Sequence, residues 1–376
     1  MSAVKSLPQW VEIGIIPVIN VSVALLVAGT MIAILGENPV DAMIVMLRGA
    51  FVYDGSLGYT LYYATNFIFT GLAVAVAFHA GLFNIGGEGQ AYLGGLGAAV
   101  VCLSLGSSLP GLFVISLAVI ASAIVGALWG AVPGWLQAKR GSHIVITTIM
   151  FNFLAASIMV SLLTGVLKNP STMSPETRAF NDQATLPFIH EILNFFGLEV
   201  ARSPLNFAFI VALICCFLVW FLIWRTRLGY EIRVVGHSSS AANYAGIDVS
   251  RIIVISMMIS GGLAGMMAIN EIMGVQHRLI LNFTSGYGFT GIAVALMGRN
   301  HPFGIILASL LFGVLFQGGA ELDFEFSSIT RDMVLLIQGL VILFSGGLAL
   351  MFNRPITTLF NLLVDTKHRV SGGKVG

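Results

Sequence analysis

The chain has 376 residues, of which 57% are hydrophobic and 9% are charged, and its formal net charge is +1. Soluble globular proteins carry about 25% charged residues, so this composition excludes a soluble fold for the bulk of the chain. The near-zero net charge also excludes the global basic field that attracts nucleic acids.

Apolar segments long enough to cross a bilayer, which takes about 20 residues, recur along the whole chain. We predict about ten spans, at approximately 13–35, 61–82, 91–105, 112–136, 144–167, 205–224, 252–274, 286–297, 303–319 and 332–352. The sequence therefore predicts an all-α polytopic membrane protein with a single transmembrane domain over residues 1–376.

The distribution of basic residues predicts the orientation. With the N-terminus in the cytoplasm, twelve of the 18 Lys and Arg residues fall inside and six fall outside. Cytoplasmic loops of membrane proteins carry this excess, so both termini are predicted to be cytoplasmic, including the tail 354–376. The apolar segment after Lys5 has no small-residue cleavage site, and we interpret it as a retained first span.

Residues 81–95, with the sequence GLFNIGGEGQAYLGG, place Asn84, Glu88 and Gln90 among glycines between two apolar runs. Glycines discourage a continuous helix, and a carboxylate at bilayer depth is costly unless it is paired or faces a water-filled cavity. Transporter helices broken around a solute pathway have this pattern. Two alternatives stay open: Glu88 and Asn84 stabilise the start of the next helix, or the glycines allow close helix packing.

Two connections between spans are long. The outer one, 168–204, contains apolar residues at near-helical spacing within 186–200, which predicts a short amphipathic helix. That helix either packs on its own bundle or docks an external binding protein. In the inner connection, 225–251, Ser238 is a predicted helix cap and Gly246 a predicted terminator. This short helix is either a handle for another protein or only local structure within a long loop.

A second irregularity is the segment 286–297, whose twelve residues are too few to cross the bilayer. Its sequence Thr290–Ala295 is close to Thr70–Ala75, just before the first break. Interrupted apolar segments in both halves of a chain indicate a transport site. The polar residues inside the other spans, taken singly, are more often interhelical hydrogen-bonding groups than ligand contacts, and they are Asn152, Asn270, Glu271, Gln317 and Gln338. The predicted pathway residues are Asn84, Glu88, Gln90, Asn152, Asn270 and Glu271.

Motifs of common enzymes and metal sites fail in this chain. Residues 190–194 do not complete the zinc-protease pattern, because Asn194 stands at the second ligand position. Lys374 follows two glycines but precedes valine, so there is no phosphate-binding loop. Cysteines 102, 215 and 216 lie in apolar runs, which argues against a disulfide framework or a zinc site. We therefore expect no catalytic residues, metal or cofactor, and an energy source in a gradient or another subunit.

The sequence resembles the permease subunits of bacterial ABC importers, in the branch that covers branched-chain amino acids, simple sugars and nucleosides. The most specific match is residues 81–90, GLFNIGGEGQ, which looks like the signature of the nucleoside-type members. Supporting matches are Asn38-Pro39, residues 144–152 (IVITTIMFN), and residues 234–236 through 244–247.

The resemblance implies an architecture like that of the vitamin-B12 importer, the type II permease fold, in the bacterial cytoplasmic (inner) membrane. It also implies a second permease subunit, cytoplasmic ATPase subunits that bind ATP, and an external lipoprotein that delivers a nucleoside or simple sugar. The ATPase-coupling role carries over to Ser238, Ser239, Ala241, Ala242, Tyr244 and Gly246. A gradient-driven secondary transporter stays open as an alternative, although such proteins more often bury charged groups for a coupling ion. A passive channel needs no structured cytoplasmic handle.

Overall fold

The computed structural model describes residues 16–343. Its α-helices are α1 Ile16–Ile34, α2 Pro39–Phe51, α3 Ser56–His79, α4 Gly87–Leu105, α5 Gly111–Arg140, α6 Ile144–Thr164, α7 Ile189–Phe195, α8 Ala208–Arg225, α9 Arg227–His237, α10 Ser239–Tyr244, α11 Val249–Ala268, α12 Tyr287–Met297, α13 Pro302–Glu325 and α14 Arg331–Ile342. A π-helical segment, Ile269–Gln276, continues α11. The bridges Glu176–Ile280 and Phe188–Asn206 are isolated, and these residues form no strand.

Six helices of the described part are long and apolar enough to cross a membrane, namely α3, α5, α6, α8, α13 and α11 with its π-helical continuation. A bent pair, Leu25–Ile34 with Pro39–Phe51, would make seven, and α12 is a shorter apolar helix. The all-α organisation is thus confirmed, whereas the number of ten spans stays a prediction. Residues 1–15 and 344–376, with Lys5, the end of the last predicted span and the tail 354–376, lie outside the described residues.

The chain divides into two units. The central unit is Leu47–Gly318, and the terminal unit combines the residues up to Met46 with those from Gly319 onward, so the boundary falls inside α2 and α13. Within the terminal unit, α1 packs against α14, and the hydroxyl of Ser328 donates a hydrogen bond to the carboxyl of Glu37.

The core of the central unit is α11, which packs against α5, α3 and α4. Small residues bring these backbones close together. A Cβ on Gly265 would lie 3.1 Å from the Cα of Gly126 on α5 and 3.4 Å from the Cα of Gly94 on α4. The hydroxyl of Ser122 donates to the carbonyl of Gly265 across the same contact, at 2.7 Å. Gly94 and Gly265 thus allow two membrane helices to pack closely. This agrees with the alternative that glycines within residues 81–95 serve close helix packing.

The inner connection 225–251 contains two helices rather than the single one predicted. Ser238 caps α10 by accepting a hydrogen bond from the backbone N–H of Ala241 at 3.2 Å, and Gly246 follows with a φ of +76°. The predicted cap and terminating glycine are confirmed. The additional helix α9 carries charged residues on one side and buries Gly229, Ile232 and Val235 on the other. This mixed pattern contains no long apolar run, so the apolar segments of the sequence do not predict α9.

The C-terminal end of α9 lies against the break that follows α3. A Cβ on Gly81 would meet the Cα and the carbonyl oxygen of Gly236, both at 3.2 Å, and a Cβ on Gly236 would overlap the carbonyl of His79. The backbones of Gly81 and Gly236 are therefore in direct contact. Gly236 lies two residues before Ser238, the cap of α10.

The outer connection 168–204 contains the predicted short helix, which is limited to α7. The part of the connection before α7 is bonded to the segment that follows α11. There the backbone N–H groups of Thr177, Phe180 and Leu186 donate to the carbonyls of residues 279, 277 and 273. The end of α7 leaves Phe195 and Phe196 exposed. The connection thus packs on its own bundle through its first half.

Candidate functional site

The break between α3 and α4 covers residues 80–86, and its polar side chains form a buried cluster. The amide nitrogen of Asn84 donates to Oε1 of Gln90 at 2.9 Å and to the hydroxyl of Ser260 at 2.8 Å. Oδ1 of Asn84 accepts from the backbone N–H of Gly86 at 2.8 Å. Asn84 and Gln90 are each 1% exposed. Both side chains therefore hold the non-helical backbone of the break in place.

Asn152, on α6, completes the hydrogen bonding of the break. Its Oδ1 accepts from the N–H of Gly89 at 2.8 Å, and its amide nitrogen donates to the carbonyl of Ile85 at 2.8 Å. A non-helical backbone inside a membrane protein needs such partners, because lipid offers none. One side chain thus replaces two of the bonds that the interrupted helix gives up.

Glu88 lies in the first turn of α4, but its carboxyl group contacts a different helix. Oε1 accepts from the N–H of Gly286 at 2.9 Å, and Oε2 accepts from the N–H of Gly288 at 2.9 Å. Both donors belong to the start of α12, where the free N–H groups and the helix dipole favour a negative partner. The hypothesis that Glu88 acts at a helix terminus fits this geometry, with the start of α12 as the partner rather than its own helix.

The contact between α4 and α12 leaves no room for a side chain at Gly288. A Cβ there would overlap the backbone nitrogen of Glu88 and would lie 2.7 Å from its Cα. The two similar sequences also meet: a Cβ on Gly291 would lie 2.5 Å from Cβ of Thr70, and one on Gly71 would lie 3.0 Å from Cγ1 of Val294. Both interrupted segments are therefore packed together within the central unit.

A cavity of about 300 Å³ lies beside this junction. It is lined by Glu88 and Tyr92 of α4, by Ile149, Asn152, Phe153 and Ala156 of α6, and by Asn282, Thr284, Ser285, Gly286 and Phe289 at the start of α12. The hydroxyl of Tyr92 donates to Oδ1 of Asn282 at 2.7 Å. The cavity thus combines a carboxyl group, amides and hydroxyls with an apolar wall, a composition typical of small-molecule sites.

Asn270 and Glu271 belong to a separate buried network. Oε1 of Glu271 accepts from the hydroxyl of Tyr62 and from the amide of Asn66, both at 2.6 Å. The amide nitrogen of Asn270 donates to Oδ1 of Asn66 at 2.8 Å, and Asn206 donates to Oδ1 of Asn270 at 2.9 Å. Glu271 is 4% exposed and Asn270 is fully buried. These bonds tie α3, the π-helical segment and the start of α8 together.

The candidate coupling residues lie together on and beside α10. Ala242 is buried, whereas Ser239, Ala241 and Gly246 are exposed and Tyr244 is 95% exposed. A nearly fully exposed aromatic ring on a short capped helix is available for contact with another protein.

Of the predicted pathway residues, the structure brings Glu88 and Asn152 to the lining of the cavity, whereas Asn84 and Gln90 are buried in the hydrogen-bonded cluster of the break and do not line it. Asn270 and Glu271 do not line it. The sequence prediction missed Tyr92, Phe153, Asn282 and Phe289 as lining residues. Spacing offered a signal for two of them, because Tyr92 lies one helical turn after Glu88 and Phe153 directly follows Asn152.

A sequence profile described as "Branched-chain amino acid transport system / permease component" matches residues 56–346. Several characterised proteins are also similar along most of their length. A glucose ABC transporter permease protein of Haloferax volcanii is 34% identical over 340 residues, which are 90% of this chain and 88% of that protein. A guanosine ABC transporter permease protein of Bacillus subtilis is 33% identical over 88% of this chain and 92% of its own length. A nucleoside ABC transporter permease protein of Lactococcus lactis subsp. cremoris is 32% identical, with 88% and 90% covered.

Proposed function

This chain belongs to the family of branched-chain amino acid transport system permease components, and on that premise we propose that it moves nucleosides or related simple sugars across a membrane in an ATP-driven importer. It is a multi-pass transport subunit rather than an enzyme. The proposed solutes are those for which the glucose, guanosine and nucleoside permeases of similar sequence are named.

The observation that carries the proposal is the cavity beside two interrupted helices. The break at 80–86 and the short helix α12 meet through Glu88, and the 300 Å³ cavity opens at that junction. Transporters expose polar groups to a solute where helices are interrupted, because only there is irregular backbone tolerated at membrane depth. Glu88 and Asn152 are the proposed pathway residues with direct access to the solute, and Asn84 and Gln90 hold the break in place.

The partners follow from the family. Cytoplasmic ATPase subunits would bind ATP and contact α10 through Tyr244 and its neighbours, so this chain needs no cofactor of its own. A second permease subunit would complete the pathway, and an external lipoprotein would deliver the solute. We place the assembly in the cytoplasmic membrane of a bacterium with both termini inside, and we expect about ten spans in the type II arrangement.

Uptake by a deletion strain complemented with the wild-type gene tests the proposal. We expect uptake of labelled guanosine, adenosine, cytidine, ribose or glucose that stops on ATP depletion and persists when the proton gradient is collapsed. Uptake that follows the gradient instead would favour a secondary transporter. A strain that takes up none of these solutes above the deletion background would contradict the proposed solute class.

Coupling through α10 has a matched pair of variants. Gly246 and Gly141 both end a helix, with φ of +76° and +66°, and a Cβ on either would have no neighbour within 4 Å in the described part of the chain. Proline cannot adopt a positive φ, so Gly246→Pro and Gly141→Pro impose the same local strain. We expect Gly246→Pro to abolish uptake at normal membrane levels while Gly141→Pro retains most of it. Equal uptake by the two variants would remove the coupling role from α10.

A further inference from the structure

The wall that α6 contributes to the cavity is a single helical face. Ile149, Asn152, Phe153 and Ala156 follow the spacing i, i+3, i+4 and i+7, which places them along one side of the helix. Asn152 is already bonded to the break through both ends of its amide. The remaining surface of this face is therefore apolar and is dominated by the ring of Phe153.

Two aromatic rings of the cavity are unoccupied by other parts of the chain. Phe153 is 64% exposed and Phe289 is 48% exposed. Neither ring stacks on another aromatic ring within residues 16–343. Elsewhere in the central unit, aromatic rings pack in pairs, as Phe67 does against Tyr287. Exposed rings that line a cavity together are available to a ligand with a flat face.

Polar groups that can form further hydrogen bonds lie on the other side of the lining, in the loop before α12. Oδ1 of Asn282 accepts from Tyr92, whereas its amide nitrogen has no partner within the described residues. The exposed hydroxyl of Ser285 donates to the carbonyl of Asn282 at 3.3 Å, and its oxygen can still accept a hydrogen bond. Asn282 and Ser285 have φ of +60° and +45°, a region that residues other than glycine seldom adopt. Backbone held in this region is concentrated at ligand sites, where the surrounding contacts maintain it.

We propose that this cavity binds the flat heterocycle of a nucleoside against Phe153 and Phe289, with the ribose directed to Asn282 and Ser285. The inference rests on the proposed function and narrows it from nucleosides or sugars to nucleosides. A free sugar carries hydroxyl groups around the whole rim of its ring, and the hydroxyls directed to the side of Ile149, Phe153 and Ala156 would find no polar partner there. A heterocycle has two apolar faces and a polar edge, which match one apolar wall and one polar loop.

The size of the cavity agrees with this ligand. Its volume of about 300 Å³ is at the lower end of the range of about 300 to 1,000 Å³ that holds small molecules. A lipid chain is the natural competitor for an apolar wall in a membrane protein. It would leave the amide nitrogen of Asn282 without a hydrogen-bond partner among the described residues, which favours a ligand with a polar end.

Photolabelling locates the ligand without requiring transport. The full-length chain in lipid nanodiscs is irradiated with 8-azidoadenosine, digested and mapped by mass spectrometry. We expect labelled peptides that contain Phe153 or Phe289, with labelling suppressed by excess adenosine and unchanged by the same excess of glucose. Labelling at other sites, suppression by glucose to the same extent, or labelling that adenosine does not suppress would overturn the proposal. The last result would point to a lipid-filled cavity.

Matched variants give the second readout. Loss of one stacking ring reduces the affinity for a base about 5- to 150-fold, so Phe289→Leu is expected to lower adenosine-protected labelling by that factor. Phe289→Tyr keeps the ring and should restore labelling. Phe217→Leu removes a ring that is 60% exposed on α8, away from the cavity, and should have no effect. The wild-type map stands even if Phe289→Leu folds poorly.

The uptake panel and the labelling map fail independently. If the chain in nanodiscs is labelled at Phe153 or Phe289 but the complemented strain takes up no nucleoside, the transport function is contradicted and the binding site remains supported. Nucleoside uptake with labelling confined to other segments would contradict the site and leave the transport function.

Discussion

Glu88 and Glu271 are both located at irregularities of membrane helices, yet the protein satisfies them in different ways. Each oxygen of Glu88 accepts one backbone N–H from the start of α12, on the wall of a cavity. Glu271, in contrast, is 4% exposed, and one of its oxygens accepts from two side chains of α3. Backbone donors belong to a fixed helix end, so Glu88 sets the position of α12. Side-chain donors belong to a network, so Glu271 holds packed helices together.

Glu271 thus contributes to the stability of the fold, and Glu88 contributes to the geometry of the cavity. Loss of Glu271 should reduce the amount of folded protein, whereas changes at Glu88 should alter transport by protein that still folds. Four predictions test this division.

The largest effect is expected from Glu271→Ala. It leaves the hydroxyl of Tyr62 and the amide of Asn66 buried without their acceptor, at about 1 to 3 kcal/mol each, or about 2 to 6 kcal/mol together. Thermal unfolding and the yield of monodisperse protein in detergent measure the loss. Glu271→Gln is the matched control, because it keeps an oxygen that accepts both bonds. Equal stability of the Ala and Gln variants would show that the hydrogen bonds accepted by Glu271 do not stabilise the fold.

Glu88→Gln is expected to affect transport more than the same change at Glu271. The glutamine retains one accepting oxygen, but its NH2 group would face a backbone N–H, so one charge-assisted bond worth about 1.5 to 3 kcal/mol is lost. A pure effect on the helix dipole would cost only about 0.3 to 1 kcal/mol and would leave uptake intact. Uptake and melting temperature from one preparation distinguish the two. Wild-type uptake with a lower melting temperature would refute a role of Glu88 in the pathway.

Gly288→Ala tests the same junction without removing a carboxyl group. Its Cβ would push against the backbone of Glu88, and such overpacking costs about 1 to 3 kcal/mol. We expect reduced uptake, because α12 shifts relative to α4. Gly339→Ala is the control, since Gly339 lies inside α14 and no atom of residues 16–343 lies within 4 Å of where its Cβ would stand. Similar uptake by both variants would mean that the contact between α4 and α12 is not needed for transport.

The smallest effect is expected from Tyr62→Phe. It removes one of the two donors to Oε1 of Glu271 and leaves Asn66 in place, for a loss of about 0.5 to 1.5 kcal/mol. Uptake should stay at the wild-type level, in contrast to Glu88→Gln. Tyr59→Phe, at a ring that is 41% exposed, controls for the loss of a hydroxyl group. A strong uptake defect in Tyr62→Phe with unchanged stability would move the network into the transport pathway.

The sequence predicted features that depend on neighbours along the chain. Glycine and polar residues predicted the break at 80–86, and Ser238 and Gly246 predicted where α10 begins and ends. These signals are local, because caps and broken helices depend on a few consecutive residues.

Features that depend on distant residues were not predicted. Tyr62 and Asn66 are more than 200 residues away from Glu271, and nothing in either segment identifies the other. The partner of Glu88 was missed for the same reason, since Gly286 and Gly288 are about 200 residues further along. Periodicity gives the face of a helix, but it does not identify the helix that this face meets.

The bare contact between Gly236 and Gly81 has a mechanical consequence. Side chains change rotamer under load and absorb part of a displacement, but two touching backbones have no such compliance. Gly236 lies two residues before the Ser238 cap of α10, and Gly81 lies three residues before Asn84. A displacement of α10 would therefore be passed to the break at 80–86 through a contact between two backbones, and little of it would be absorbed by side-chain rearrangement.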